Sequence, residues 1–572
     1  MRKKIYSLLK TKYIVSFCLA AILSAAGCDT DPIYYSEVTP STFYDSKDNV
    51  WQRFYRPFTH WRWYVASDNP KWNLQELGTD EMCLPTRGSD WYNGGVYQQM
   101  HHHQFTATLS NLYNGWYGFA MGVALCWDTW EDLNTYVDFD AMGFEAGTKE
   151  SMRAQLDALA VSFYKDGLDL FGGVPLYTTT HSDVKARSTA PETFAFIDSL
   201  LKVAIPNLPV KTTLGATENG TINRAAGAAL LAQLYFNADA WTGVDRFADC
   251  ATLCRDIIDG KYGKYALDDD WTNIFGFHNE TCPEIIWSVP SENSKLETDG
   301  GYYSTMQHYN TKSFLGGIDA GANNGYCLTP SLKPKGELYA FKLGKPYSKF
   351  EETDIRKQPY VFTGNGTYRG MFIAGKLVNP LDGGVCYGNR EYNGDTITMV
   401  DQVAYFSQLG TNYSSADELP STIATAEENS GIRLMKRSPI PTYEERDIRY
   451  NPDIPIIRLA EIYYMLAECE LRVGNKADAA TLINKVRQRY FTGGNDPNPV
   501  TAANLDKYRM LDEWMIEFIG EGRRRTDLVR WGAYVTEDWW DHTASNDEKE
   551  NRYPIHETIL SSNNLLEQNP GW

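Results

Sequence analysis

"IIRLAEIYYMLAECELRVGNKADAATLINKVRQR", residues 456–489, holds the pattern that decides the fold. Its apolar residues recur at helical spacing on both sides of Gly474, so it reads as helix, turn and helix. Within it Ala467, Gly474, Ala479 and Ile483 follow the small, turn, small and bulky order of a tetratricopeptide unit. Small side chains at those places let two antiparallel helices approach closely. Outward from this unit, Met152, Leu156, Leu159, Ala160, Phe163 and Gly167 recur at spacings of three and four, which predicts a helix over 152–170 that "FGGVPLY" ends. "INRAAGAALLAQLYFNADAW", from Ile222, and "RFADCATLCRDIIDG", closed by Gly260, predict a second pair. Helix pairs at 152–260 and 456–530 point to one helical scaffold. From about Phe275 to Ser430 the chain is rich in Gly, Asn, Pro and Tyr and shows no sustained apolar period. So long a stretch inside a packed protein is expected to be a loop-rich lobe with short elements of its own, and a place for a binding surface.

At the other end, Arg2, Lys3, Lys4, Lys10 and Lys12 precede an uncharged stretch from Tyr13 to Ala26. Those 14 residues are too few to span a bilayer as a helix, which takes roughly 20. They read as a secretory signal whose small residues "SAAG" lead into Cys28. Ala25-Ala26-Gly27-Cys28 fits a lipoprotein signal peptidase site, which needs small side chains beside the cut and an acylated thiol after it. Each buried acyl CH₂ contributes about 0.8 kcal/mol, so a multiply acylated Cys28 would hold the chain at a membrane without a spanning helix. Loss of the leader's five cations would move the formal charge from −19 to −24. Such a surface repels phosphate backbones, which sets nucleic-acid binding aside.

The 77 aromatic residues are the informative excess, because many sit among turn formers rather than on apolar faces. In "TRGSDWYNGGVYQ", residues 86–98, Trp91 and Tyr92 lie between Asp90 and Asn93-Gly94-Gly95. Tyr302 and Tyr303 in "DGGYYST" and Tyr326 in "ANNGYCL" repeat the arrangement. A flat ring in a loop, beside amide and carboxylate groups, suits a sugar: C–H faces lie on the ring and hydroxyls bond Asn, Asp and Arg. The expected ligand-binding residues are therefore Arg87, Asp90, Trp91 and Tyr92 as one edge, and Tyr302, Tyr303, Asn324 and Tyr326 as a second. Arg87 has the alternative of pairing with Asp90 to brace the loop.

Motifs for catalysis and cofactors are weak, and none is assigned. Gly370 to Leu377 has phosphate-loop spacing, but Leu377 stands where the magnesium-binding hydroxyl belongs. "DFDAMGFEAGTKE" resembles a calcium loop at its first, third and sixth positions, but Met142 and Lys149 occupy its fifth and twelfth. His101, His102 and His103 point in different directions on a helix and lack an HExxH context. Beyond Cys18 and Cys28 eight cysteines remain, with no CxxC pair and no framework spacing, and read as buried free thiols or a stray disulfide rather than a stapled fold. Hydrolysis of a glycoside needs two carboxylates at a set separation, and nothing selects such a pair.

"DEWMIEFIGEGRRRTDLVRWG" (512–532), "YPIHETIL" and the terminal "QNPGW" resemble the closing segments of the SusD/RagB family, the surface glycan-binding lipoproteins of Bacteroidota. "RLAEIYYMLAE" (458–468), "GIRLMKRSP" (431–439) and "FGGVPLY" (171–177) match that pattern in the expected order, and the resemblance covers nearly the whole chain. It implies a SusD-like, mainly α fold in which tetratricopeptide-like helix pairs carry a loop-rich lobe. The implied role is capture of oligosaccharide or polysaccharide at the outer-membrane surface, without catalysis, for a SusC-like TonB-dependent transporter. The family's ligand-facing aromatics resemble Trp91 and Tyr92 in chain position. Two other readings are a peptide or other non-sugar nutrient receptor of the RagB type and a surface glycosidase. The expected division is a signal peptide 1–27, a lipidated tether 28–45, a helical scaffold 46–274, a ligand-facing lobe 275–430 and a C-terminal helical segment 431–572 packed with 46–274 as one body. In residues 511–525 an apolar stripe accompanies Glu513, Glu517, Glu521 and Arg525 at i, i+4 spacing, expected as a packed helix with a ladder of charges.

Overall fold

Helices dominate the computed structural model, which describes residues 40–66, 70–216, 220–292, 304–318, 321–333, 336–364, 367–379, 382–390, 393–403, 422–437, 440–442, 447–449 and 452–572. The leader, Cys28, Tyr302 and Tyr303 lie outside the described residues. The longer helices are α1 (Lys47–Val65), α2 (Pro70–Glu76), α3 (Ser110–Tyr136), α4 (Thr148–Phe171), α5 (Ala190–Ala204), α6 (Arg224–Phe236), α7 (Phe247–Ile258), α8 (Leu459–Arg472), α9 (Lys476–Arg487), α10 (Lys507–Phe518) and α11 (Arg524–Arg530). Their starts follow local chemistry. Thr189 and Glu192 form a capping box ahead of α5, and the side chains of Asn223 and Asp506 accept backbone N–H groups at the starts of α6 and α10.

Each scaffold helix packs on its neighbour in the array: α1 on α3, α3 on α4, α4 on α5, α5 on α6, α6 on α7, α7 on α8 and α8 on α9. The α8–α9 unit is thus the last pair of a continuous helical array, reached after a long excursion from Ile258 to Leu459. Glycines set the close approaches around α3. A Cβ on Gly118 would lie 2.2 Å from the Tyr64 ring of α1, and one on Gly122 would lie 2.3 Å from the Phe163 ring of α4.

Short strands tie the excursion together and to the segment after α2: β1 (Met82–Cys83) lies outside it, and β2 (Ile285–Val289), β3 (Cys327–Leu328), β4 (Phe372–Ile373), β5 (Arg433–Leu434) and β6 (Ile454–Arg458) lie within it. They pair antiparallel as β1 with β3, β4 with β5 and β2 with β6. The last pair, with Ile454 opposite Val289, closes the excursion at its base. There Trp287 of β2 stacks on Trp61 of α1 at 4.1 Å, which joins the base of the excursion to the helical core.

Two expectations are corrected. Residues 456–458, read as helix, are strand, because the apolar run from Ile454 takes the hydrogen bonds that β2 offers and α8 begins only at Leu459. Nor is 511–525 one helix with a ladder along it. α10 stops at Phe518, and Gly520 and Gly522 turn the chain at φ 72° and 76°. Each charge then meets a partner from elsewhere: Glu513 meets Arg487, Glu517 meets Arg458 and Arg489, Glu521 meets Lys436, and Arg525 meets Asp169. The phosphate-like spacing at 370–377 falls on β4 and a second short strand, Gly375–Lys376, with no helix after it.

Candidate functional site

Residues 87–95 form a tight loop between β1 and a short helix at Val96–His101. Arg87 and Asp90 exchange backbone hydrogen bonds of 2.9 Å, closing the turn. The next residues are held in left-handed backbone: Trp91 at φ 65°, Asn93 at 44°, Gly94 at 69° and Gly95 at 79°. For asparagine and glycine this is ordinary; for a bulky tryptophan it costs about 1–2 kcal/mol and persists only where the surroundings enforce it.

Those surroundings are visible. The Trp91 indole N–H donates to the Asn323 carbonyl at 2.7 Å, and the ring lies against Gly325, where a Cβ would come within 3.1 Å of two ring carbons. The Tyr97 ring meets Trp91 edge to face at 6.3 Å. Tyr92 projects outward, 56 % exposed. Beside them the Tyr309 hydroxyl donates to Asp90, and the Arg390 guanidinium lies 3.6 Å over the Tyr309 ring with one nitrogen 3.5 Å from the same carboxylate. Burial and the Asp90 carboxylate push the Tyr309 hydroxyl up to about 12, so it is a neutral donor. The result is a shelf of rings with a carboxylate and a guanidinium at its edge.

Of the predicted edge, Tyr92 is exposed, while Asp90 and Trp91 are half-buried at the surface, with Trp91 packed against the core. Arg87, Asn324 and Tyr326, also expected to face the ligand, are buried. Arg87 is 5 % exposed and turns inward, donating to the carbonyls of Glu427 and Ser430; its link to Asp90 is through backbone alone. Asn324, fully buried, accepts from Arg433 at 2.6 Å and donates to the Glu428 carbonyl at 2.8 Å. Tyr326 is equally buried: its ring packs on Trp72 at 5.0 Å and its hydroxyl donates to Asn73 of α2. These three form the floor that holds the shelf. Sequence reasoning missed Tyr309, Asn323 and Arg390; the signal available was the aromatic or cationic residue beside Asn and Gly in "HYN" and "YGNREYNG".

Other polar clusters lie away from the shelf. His101, His103 and His542 each hydrogen-bond a backbone carbonyl, and burial lowers His101 to about 4 and His542 to about 2, so both are neutral. Among the described residues no group of His, Cys, Asp and Glu is arranged to hold a metal. An interior cavity of about 100 Å³ between α2, α4 and α6 is walled by charges that pair with one another, Lys71 with Asp166 and Arg523 with Glu461. An apolar groove of about 480 Å³ runs along α3 beside Tyr177 and Leu566.

Comparison with known proteins gives this geometry a context. The SusD family model matches residues 283–572, just over half of the chain. The starch-binding protein SusD of Bacteroides thetaiotaomicron is 26 % identical over 444 residues, covering 73 % of this chain and 72 % of that protein. Surface glycan-binding protein A of the same organism superposes with a TM-score of 0.65 at 17 % identity, over 92 % of this chain and 100 % of that one. The structure of that protein in complex with laminarihexaose gives a TM-score of 0.63 at 18 % identity, over 92 % and 99 %.

Proposed function

Because the chain belongs to the SusD family, we propose that it is a surface glycan-binding protein that captures oligosaccharide or polysaccharide on the Trp91 shelf. The observation that carries this reading is Trp91 held in left-handed backbone, braced by Asn323 and Gly325, with Tyr92 exposed beside it. Strain of that kind at a surface ring is retained where the ring's placement matters. Asp90, already fixed by Tyr309, and Arg390, half exposed, supply the directional hydrogen bonds that select a sugar's hydroxyl pattern. Binding without cleavage is the consistent chemistry: glycoside hydrolysis needs two carboxylates flanking the bond, and on the described shelf Asp90 is engaged by a tyrosine and an arginine.

Anchoring through Cys28 and delivery of the glycan to a SusC-like TonB-dependent transporter complete the proposal. They rest on the lipobox-like "SAAGC" and on family membership. Residues 275–430, which bring Tyr309, Asn323 and Arg390 to the shelf, are read as its ligand-facing lobe.

A glycan array with the wild type and Trp91→Ala tests the capture. Starch and laminarihexaose, the ligands named for the relatives, are the first probes. Retention of glycan by the wild type and its loss in the variant is the expected result. Silence of the wild type on every glycan would favour a peptide or other non-sugar nutrient, and new reducing ends after incubation would turn the reading to a glycosidase.

A further inference from the structure

Cys83 and Cys327 face each other across two paired strands: Cys83 of β1 is the register partner of Cys327 of β3, and their sulfurs lie 3.6 Å apart. Directly opposed residues of an antiparallel pair have Cα atoms ~4.5–5.5 Å apart, inside the ~4.4–6.8 Å range that a disulfide spans. The segment leading into β5 makes room for the sulfurs. Gly431, at φ 91°, has no side chain, and a Cβ there would lie 2.7 Å from the Cys327 sulfur and 3.3 Å from an Arg87 nitrogen.

The charges around the pair are unusual. Arg87 and Arg433 are both buried, and their hydrogen bonds end on carbonyl, amide and hydroxyl oxygens with no carboxylate among them: Glu427, Ser430 and Gly325 for Arg87; Tyr326, Asn324, Ser430 and Gly325 for Arg433. Two unneutralised guanidiniums favour an anion beside them. In the closed pair the hydrogen bond from Cys83, with Arg87 and Arg433, lowers the Cys327 thiol to about 6. Cys250 and Cys254, 3.9 Å apart one turn along α7, have no such setting.

We propose that Cys83 and Cys327 are joined in the exported protein by a cross-strand disulfide that clamps together the two segments bearing the shelf. β1 runs directly into the Arg87–Gly95 loop, and β3 follows directly on Asn323–Tyr326. One bond between them fixes Trp91 against its acceptor and its glycine from below.

Formation is a two-electron oxidation by an extracytoplasmic dithiol oxidoreductase in its disulfide form. The Cys327 thiolate attacks one donor sulfur, the donor S–S bond breaks, and the second donor sulfur leaves as a thiolate that takes up the proton Cys327 gave. Cys83 then attacks the Cys327 sulfur of the mixed disulfide and passes its own proton to the first donor sulfur as that departs. The donor ends as a dithiol and the chain has lost two hydrogens. Both cysteines are fully buried, so exchange belongs to folding, before β1 and β3 close. The finished bond is then shielded from reductant.

The test is peptide mapping without reductant of full-length protein purified from cells and denatured in N-ethylmaleimide. A single species containing the Cys83 and Cys327 peptides, separable on reduction, is expected, with Cys250 and Cys254 alkylated. In Cys83→Ser, Cys327 should be alkylated. Reduction should lower the melting midpoint by about 4 °C, as expected for opening a ring this long in a chain this large. Alkylation of both cysteines in the wild type, or bonding of either to another cysteine, overturns the proposal. Refolding reduced protein in oxidised glutathione is run in parallel, and failure to form the bond there overturns the geometric argument as well. Glycan binding is measured on the same preparation. A disulfide without glycan binding leaves the clamp standing and counts against the reading of the shelf alone.

Discussion

At Trp91 one side chain carries both a cost and a purpose, and the two can be separated. Truncation to alanine removes a ring face worth about 1.5–3 kcal/mol on burial, so Kd for the captured glycan should rise about 10- to 100-fold by calorimetry. Trp91→Gly removes the same ring but also releases the left-handed backbone, so it should bind as poorly as Trp91→Ala and yet be more stable to urea by about 1 kcal/mol. Gly325→Ala tests the shelf from beneath. Its Cβ would stand 2.6 Å from a Thr305 methyl and 3.1 Å from the indole, so the ring must shift. Affinity should fall about tenfold and stability by about 1–3 kcal/mol, read by calorimetry and urea unfolding. What was legible here follows from chemistry that is local. Asn-Gly-Gly after Trp91 and Tyr92 announces a turn, and rings in a turn face outward when the turn is at the surface. The same signal at Asn324 and Tyr326 marks a buried turn, because a left-handed Asn324 at φ 53° looks alike in sequence whether its side chain meets water or Arg433. Tyr309 and Arg390 are 219 and 300 residues from the Asp90 they surround, a distance no local pattern spans.

Among the elements, regular apolar spacing made helices readable even where packing buries them nearly all round, as in α4 and α6. α4, α6, α7 and the α8–α9 pair follow their spacing, whereas α3 was missed although it is 27 residues long. Its Gly115, Gly118 and Gly122 are poor helix formers, and only packing shows that they admit Leu74, Tyr64 and Phe163. Charge misled in a similar way on α10. Spacing of four suggested neighbours along one helix, but Glu517 accepts from Arg458 at 2.6 Å, Arg489 at 2.9 Å and Tyr490 at 3.0 Å, in a buried knot joining β6, α10 and the turn after α9. Burial alone would raise the Glu517 carboxyl; Arg458, Arg489, Arg356 and Lys436 outweigh it and hold it at about 2. Glu517→Gln keeps the shape and removes the charge, leaving the guanidiniums under-neutralised, and should cost about 3–5 kcal/mol in urea at pH 7. A depressed carboxylate stabilises above its unfolded pKa of about 4.3 and loses that contribution as pH falls towards 2. The gap between wild type and Glu517→Gln should therefore be full at pH 6 and close progressively below about pH 4.3.

Over the whole molecule, α2 is docked onto the turn before α11, and a buried acid stands at that joint. Glu76, the last residue of α2, accepts the backbone N–H groups of Gly522 and Arg523 at 2.7 and 3.1 Å, while Trp72 donates to the Gly520 carbonyl at 2.9 Å. This joint sets α2, and the Asn73 that receives Tyr326, against the turn before α11; it therefore supports the floor of the shelf from behind. Desolvation dominates at Glu76 and raises its carboxyl to about 8, against the pull of the two amides and Arg524. The sign is opposite to that at Glu517. An unfolded glutamate releases its proton near 4.3, whereas the folded chain keeps it to about pH 8, so the folded state binds more protons across that window. The contribution is fully present below about pH 4.3 and is lost as pH rises through 8. Glu76→Gln imitates the protonated acid, retains an acceptor oxygen for both amides and cannot ionise. At pH 4, where both folded and unfolded glutamate hold the proton, the variant should unfold in urea within about 1 kcal/mol of wild type, and by pH 6 wild type should already trail it by about 2 kcal/mol. Between pH 6 and 8.5 wild type should lose about 2–3 kcal/mol more that the variant keeps, so the two curves part further on the alkaline side. Because the joint lies behind the shelf, the same pH rise should weaken glycan binding by wild type and leave Glu76→Gln unaffected. Parallel urea curves across these pH values would mean that Glu76 is ionised in the folded chain and that the joint is held by the amide contacts to a carboxylate.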